Sequence, residues 1–146
     1  MTKYKQGYFL PQHPEKYVGD ITKIRFMSSW ELETHKFLDN NTRVLRWSSE
    51  TIAIPYIKPT DGRIHKYYPD YWVEYINRDG EILQELLECK PKSQTTRPRK
   101  QRSTGQVSLY ESVQYAINQA KWTAAIDWCN KHNLGFKIIT EKSVFR

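Results

Sequence analysis

Cysteine is scarce in this chain of 146 residues: Cys89 and Cys129 are its only two. They share no metal-site spacing and are too few for a disulfide framework, so both read as reduced thiols. Long apolar runs are absent, and no stretch approaches the length of a membrane span, so no membrane partner is expected. The opening seventeen residues, Met1 to Tyr17, hold no apolar signal core. The protein is therefore expected to work where it is made or to be assembled from there. Acidic residues are in deficit, 16 Asp and Glu against 23 Lys and Arg, for a net charge of +7. Such a surplus favours a polyanionic partner, most commonly nucleic acid. No internal repeat, zinc module or recognition-helix pattern is visible, so nothing here reads base sequence.

What the chain does have is aromatic mass. Ten Tyr and five Trp contribute to 14% aromatics within 38% hydrophobic residues. That content supports a globular fold, and the length suits one domain over residues 1–146. Residues 1–20 read as an irregular arm that Tyr4, Tyr8, Phe9 and Tyr17 pin to the body.

Ser28-Ser29-Trp30-Glu31 opens a helix that runs to about Asn40, with a hydroxyl and a carboxylate in capping-box spacing. Thr51 to Ile57 reads as a strand, at an edge or bulged because Pro55 donates no hydrogen bond. Asp61-Gly62 marks a turn. Ile64 to Ile76 is a second strand, and Glu81 to Lys90 a third after Asn77-Arg78-Asp79-Gly80. Together they make a three-strand antiparallel meander. Val107 to His132 is the longest helix, with Leu109, Val113, Ile117, Ala120, Ala124 and Trp128 on one stripe. Phe136 to Thr140 is a last short strand. The helical crossover before it permits parallel pairing with the third. The expected class is α/β with a mixed sheet.

Two strand segments carry the chemistry. Tyr68-Pro69-Asp70 lies in the second strand, and Glu88-Cys89-Lys90 ends the third, with Glu88 eighteen positions after Asp70. Side chains alternate along a strand, so Glu88 and Lys90 share a face and Cys89 turns away. Two carboxylates and a lysine meeting at a strand end suit Mg²⁺ and a water set against a phosphodiester. Asp70 and Glu88 would donate oxygens, and the Cys89 backbone carbonyl another. Lys90 would orient the water and counter charge in the transition state. Taken singly, a Pro-Asp is a turn or strand start and a Glu-x-Lys a solvated ion pair. Glu31 is open between helix capping and a further ligand.

These residues resemble the PD-(D/E)xK nuclease superfamily, with its restriction-endonuclease-like fold. Arg25 to Glu31 resembles the Ser-x-x-Glu helix of its phage junction resolvases and transposase endonuclease subunits. Lys5 to Phe9, Pro14 to Tyr17, Arg46 to Glu50 and Asn118 to Trp122 resemble the head-completion nucleases of myovirus-type tailed phages. The resemblance implies Mg²⁺-dependent DNA cleavage, with Mn²⁺ able to substitute. It implies catalytic roles for Asp70, Glu88 and Lys90, and favours one for Glu31. It also implies work in the host cytoplasm during assembly, or on the virion, beside portal, head or neck proteins. A homodimer stays open. Gln106 and Tyr110 match a loose Gln-x-x-x-Tyr element of recombination nucleases.

Residues 91–106 form a loop in which Lys92, Arg97, Arg99, Lys100 and Arg102 meet no acid. A solvated basic turn is the plain reading. Its place after Lys90 favours a DNA-backbone contact, sensitive to salt and blind to sequence. Lys121 is a further phosphate contact or a polar helix face, as is Asn118, for which the polar face is favoured. Three readings compete: a DNA endonuclease of head completion, a virion DNA-end binder or capsid plug that keeps the nuclease fold, and a Holliday-junction resolvase.

Overall fold

A computed structural model of the chain describes residues 6–143. The N-terminal arm holds a two-residue strand, β1 (Gly7–Tyr8), which pairs antiparallel with β2 (Arg25–Phe26). Phe9 is buried in the core and the Tyr17 ring stands edge-on to Trp47 at 4.8 Å, so the arm is pinned by these two as expected. Tyr8 is exposed, and Tyr4 lies outside the described residues.

Helix α1 (Ser29–Asn40) begins where the capping pattern places it: Ser28 Oγ accepts the Glu31 N–H at 3.1 Å. The returning Glu31 carboxylate takes the N–H of Met27, one residue earlier than a capping box would have it. Lys16 closes the other end. Its ammonium donates to the carbonyls of Leu38, Asp39 and Asn41 at 2.9, 2.8 and 2.9 Å, cationic charge on the negative helix terminus. Buried Asp39 accepts the N–H groups of Gln12 and His13, which straps the arm to the helix.

The strands divide differently from the sequence reading. β3 (Val44–Ser49) is followed by β4 (Ile54–Ile57) and β5 (Ile64–Tyr67), then β6 (Tyr71–Ile76) and β7 (Ile82–Cys89). The single strand expected over Ile64 to Ile76 breaks at Tyr68-Pro69-Asp70, since Pro69 supplies no ladder donor. β5 turns back on β4 as a separate hairpin, whereas β6 enters the main sheet. The antiparallel meander therefore exists, but its strands are β3, β6 and β7, and the Thr51–Ile57 segment lies outside it. Pro55 sits opposite Lys66 in the two-stranded hairpin, where its missing donor costs little.

Helix α2 (Leu109–Lys131) starts under a Ser108 cap and leads into β8 (Gly135–Ile139), which pairs parallel with β7 as the crossover allowed. The sheet order is β3-β6-β7-β8. The buried stripe of α2 runs through Ile117, Trp122, Ala125 and Cys129. Of the expected stripe, Ile117 is buried and Val113, Ala120, Ala124 and Trp128 pack against the same cluster, whereas Leu109, in the first turn, is 79% exposed.

Two apolar clusters flank the sheet. Phe9, Ile24, Leu38, Trp47, Tyr71 and Leu87 gather on the α1 side. Ile54, Tyr56, Tyr67, Leu86, Trp122 and Cys129 gather on the α2 side. Leu86 and Leu87 divide between them by strand alternation. The carboxylate of Glu88 follows Leu86, at the point where β7 leaves the core.

Candidate active site

Pro69 is buried in the segment that joins the hairpin to β6, and Asp70 follows it at the start of that interior strand. Asp70 Oδ2 accepts the Cys89 N–H at 2.7 Å, which ties that segment to the end of β7. Glu88, one residue before, is buried. Its Oε1 accepts the Tyr67 hydroxyl at 2.7 Å, and its Oε2 stands 3.6 Å from Lys90 Nζ. Glu88 and Lys90 thus share a face as strand alternation required, and the Cys89 N–H brings Asp70 to the same strand end. Lys90 keeps 23% of its side-chain surface exposed, within reach of solvent.

The electrostatics of the pair are uneven. Burial first, and the Glu88 charge second, push the Asp70 carboxyl up to about 8, against the stabilising Cys89 N–H. Burial also raises Glu88, while the Tyr67 hydroxyl and the ammonium groups of Lys90 and Lys121 oppose it. The Cys89 thiol is pushed up to about 12 by burial and then by Asp70 and Glu88. That thiol is an inert neutral group. Glu31, at the start of α1, is raised by burial and by the charge of Glu50, and its own charge raises Asp70. Asp70 therefore faces acids, and Glu88 faces cations.

Lys121 belongs to this cluster. It projects from α2 over the rings of Tyr67 and Tyr56, 5.6 and 5.9 Å from their centroids. Burial and the charge of Lys90 lower its ammonium, and Glu88 pulls the other way. Asn118, one turn earlier, is buried beside Ile117.

Arg97, Arg99, Lys100 and Arg102 are exposed in the loop after Lys90. A bridge between Lys100 and Val107 closes its far end, and the Lys92 N–H holds Glu141 at 2.7 Å. Gln106 and Tyr110 are not drawn into the carboxylate cluster. The hydrogen bonds of the Gln106 main chain stay local, to Gln101 and Thr104, and Tyr110 is 72% exposed.

The family model for the TnsA-like endonuclease N-terminal region matches residues 41–141. The chain belongs to the TnsA-like endonuclease family. The head completion nuclease of Enterobacteria phage T4 is 32% identical over 139 residues, spanning 92% of this chain and 90% of that protein. As a TnsA-like nuclease the chain has DNA as its substrate, and nucleases of the restriction-endonuclease-like fold generally use divalent metals. The matched region contains Asp70, Glu88, Lys90, the basic loop and Lys121, whereas Glu31 precedes it.

Three neighbours of the candidate site were given no role in the sequence reading. Tyr67 ends β5 and looks like one core aromatic among many; only the hairpin pairing directs its hydroxyl at Glu88. Glu50 follows β3 in left-handed backbone (φ 55°), and its N–H donates to the Asp70 carbonyl at 3.0 Å. Lys58, at the end of β4, adds to the positive charge that Lys121 feels. Glu50 enters the sequence reading only within the Arg46 to Glu50 resemblance, and a Lys-Pro before a turn carries no distinctive signal.

Proposed function

We propose that this protein is a Mg²⁺-dependent DNA endonuclease of phage head completion, the whole chain serving as one nuclease domain. The observation that carries the reading is the meeting of Asp70, Glu88 and Lys90 at the solvent end of β7. Asp70 and Glu88 are two buried carboxylates with raised affinity for protons, an excess of negative charge that a divalent cation would offset. Among the described residues no group of three or more His, Cys, Asp or Glu side chains is placed to hold an ion unaided. That sparse set fits Mg²⁺, which keeps several waters and takes one or two carboxylates. The Cys89 carbonyl would complete the protein's share, and Glu31 would reach the same ion through water. Mn²⁺ would substitute.

When bound, the ion supplies a nucleophile at neutral pH and charge neutralisation at the phosphate. The chain's own residues do the rest. Tyr67 holds one Glu88 oxygen, leaving the other directed towards Lys90. Lys90 orients the attacking water and counters the charge that develops on the phosphate oxygens. Lys121, braced by two aromatic rings, steadies a neighbouring phosphate. Lys92, Arg97, Arg99, Lys100 and Arg102 hold the backbone of the DNA beyond.

The role in head completion follows from the likeness to the phage T4 nuclease over nearly the whole chain. On that reading the protein acts in the host cytoplasm during assembly, or on the virion, beside portal, head or neck proteins, alone or as a homodimer. No helix among the described residues is long and apolar enough to cross a membrane.

The test is cleavage of linear, branched and single-stranded DNA with Mg²⁺, wild type beside Asp70→Ala. Cutting by the wild type and none by the variant supports the endonuclease. DNA binding without cutting would instead favour a DNA-end binder, and a marked preference for four-way junctions a resolvase.

A further inference from the structure

The β4–β5 hairpin has an inner and an outer face. Ile54, Tyr56 and Tyr67 are buried on the inner one, against α2. Ile57 and Ile64 point outward, 63% and 74% exposed. They are register partners, so the two side chains stand together as one apolar pair on the ribbon. Scattered exposed apolar residues need no explanation. This pair differs in its surroundings. Lys66 lies opposite Pro55, two pairs towards Tyr67 and on the same face. Lys58 and Arg63 flank it on the turn side, where the Lys58 N–H donates to the Arg63 carbonyl at 2.9 Å. The one acid nearby, Asp61, is engaged by the Arg63 N–H at 2.9 Å and by His65 Nε2 at 2.8 Å. Lys66 shares the face of the pair, whereas Lys58 and Arg63, in the adjacent pair, turn to the other face, where Lys121 feels Lys58. The ribbon tip thus carries an apolar pair on one face and cations on both.

Its other end is seated on the candidate active site through the Tyr67–Glu88 hydrogen bond. Three residues separate Ile64 from Tyr67, a reach of about 10 Å at ~3.3 Å per strand residue. That is about three nucleotide steps at ~3.4 Å each. A two-stranded ribbon fits a DNA groove, and apolar side chains enter between base steps when cations hold the phosphates on either side.

We propose that Ile57 and Ile64 form a wedge that docks at a base step about three nucleotides from the scissile phosphate. The inference deepens the DNA-cleaving reading above and rests on it. It also names a substrate class. Opening a stacked step costs free energy, and the cost is least where bases are already unpaired. The wedge therefore favours branched DNA and frayed ends over continuous duplex. Cations on both faces of the ribbon tip and the chain's surplus positive charge favour the nucleic acid over a protein partner.

The experiment places 2-aminopurine at the predicted step in linear-duplex and frayed-end DNA and follows its fluorescence on binding, with Ca²⁺ replacing Mg²⁺ to withhold cleavage. The proteins are wild type, the Ile57→Ser/Ile64→Ser pair, and the Ile57→Leu/Ile64→Leu pair. Wild type and the leucine pair are expected to raise the fluorescence at least about twofold and the serine pair to leave it flat. With Mg²⁺, the serine pair should lose about tenfold in cleavage of frayed ends while cutting single-stranded DNA at the wild-type rate. A serine pair that unstacks the reporter like wild type would overturn the proposal. So would an equal loss on all three DNAs, or unchanged behaviour on DNA in a serine pair that no longer binds a protein partner. The fluorescence arm involves no chemistry, so retained cutting by Asp70→Ala would sink the active-site assignment and the three-nucleotide spacing while leaving the unstacking result to stand or fall on its own.

Discussion

The Tyr67 hydroxyl donates a 2.7 Å hydrogen bond to Glu88 Oε1, and the ring of the same tyrosine supports Lys121 at 5.6 Å. One residue of the hairpin thus serves an acid on β7 and a cation on α2. Tyr67→Phe keeps the ring and removes the hydroxyl, leaving a buried carboxylate oxygen without its donor. Such a loss costs about 1–3 kcal/mol. Thermal denaturation is expected to show that destabilisation, and single-turnover assays a cleavage rate lower by about tenfold. DNA affinity should not move, because the Lys121 platform survives. An unchanged melting temperature would mean that the bond contributes nothing.

Asp70 gives the fold a pH dependence. Its carboxyl ordinarily titrates at 3.8 and in the fold is pushed up to about 8. The folded chain therefore holds a proton that the unfolded chain gives up. The stability from this group is fully present below pH 3.8 and is lost as pH rises through about 8. In chelator, the melting temperature is expected to fall between about pH 5 and about pH 8.5. Asp70→Asn should flatten that fall, and Mg²⁺ should restore stability most at the alkaline end. A melting temperature that climbs over this range in the wild type would contradict the placement of Asp70.

Glu50 combines a left-handed backbone with a charge that raises Asp70. Glycine adopts that conformation without strain, so Glu50→Gly should stabilise the fold by up to about 1 kcal/mol. Glu50→Gln keeps the backbone strain and removes only the charge. Both variants should lower the pH at which Asp70 ionises, which proton-detected titration would follow. Only the glycine variant should gain in melting temperature beyond the electrostatic effect.

The exposed cations after Lys90 make a prediction about salt. Replacing Arg97, Arg99, Lys100 and Arg102 with alanine should weaken DNA binding and flatten the dependence of log affinity on log salt. The slope should drop by about 0.9 for each duplex phosphate that the variant no longer neutralises. Sequence preference should stay absent. A slope that does not change would return the loop to an ordinary solvated turn.

How much of this was legible beforehand differs by element. Ser28 with Glu31 marked the start of α1 because an N-cap is a local device, whereas the sequence reading starts α2 at Val107, without using its Ser108 cap. The shared face of Glu88 and Lys90 followed from the two-residue period of a strand. The split of the second strand was hidden, because Ile64-His65-Lys66-Tyr67 and Tyr71 to Ile76 both read as strand and only their partners differ. Pro69 was the one sign of a break. That split is also why Tyr67 and Lys58 went unnoticed: their place at the site depends on where the hairpin folds back. The α2 stripe is right from Val113 to Trp128 because its period is visible in sequence, and fails only at Leu109, in the exposed first turn.

The central claim is that Asp70, Glu88 and Lys90 cut DNA together. The most direct measurement is nicking of supercoiled plasmid with Mg²⁺ by wild type, Asp70→Ala and Lys90→Ala, with circular dichroism reporting that each variant is folded. The account predicts Mg²⁺-dependent nicking by the wild type and a loss of at least about 10²-fold in both folded variants. Nicking at the wild-type rate by either variant would contradict it.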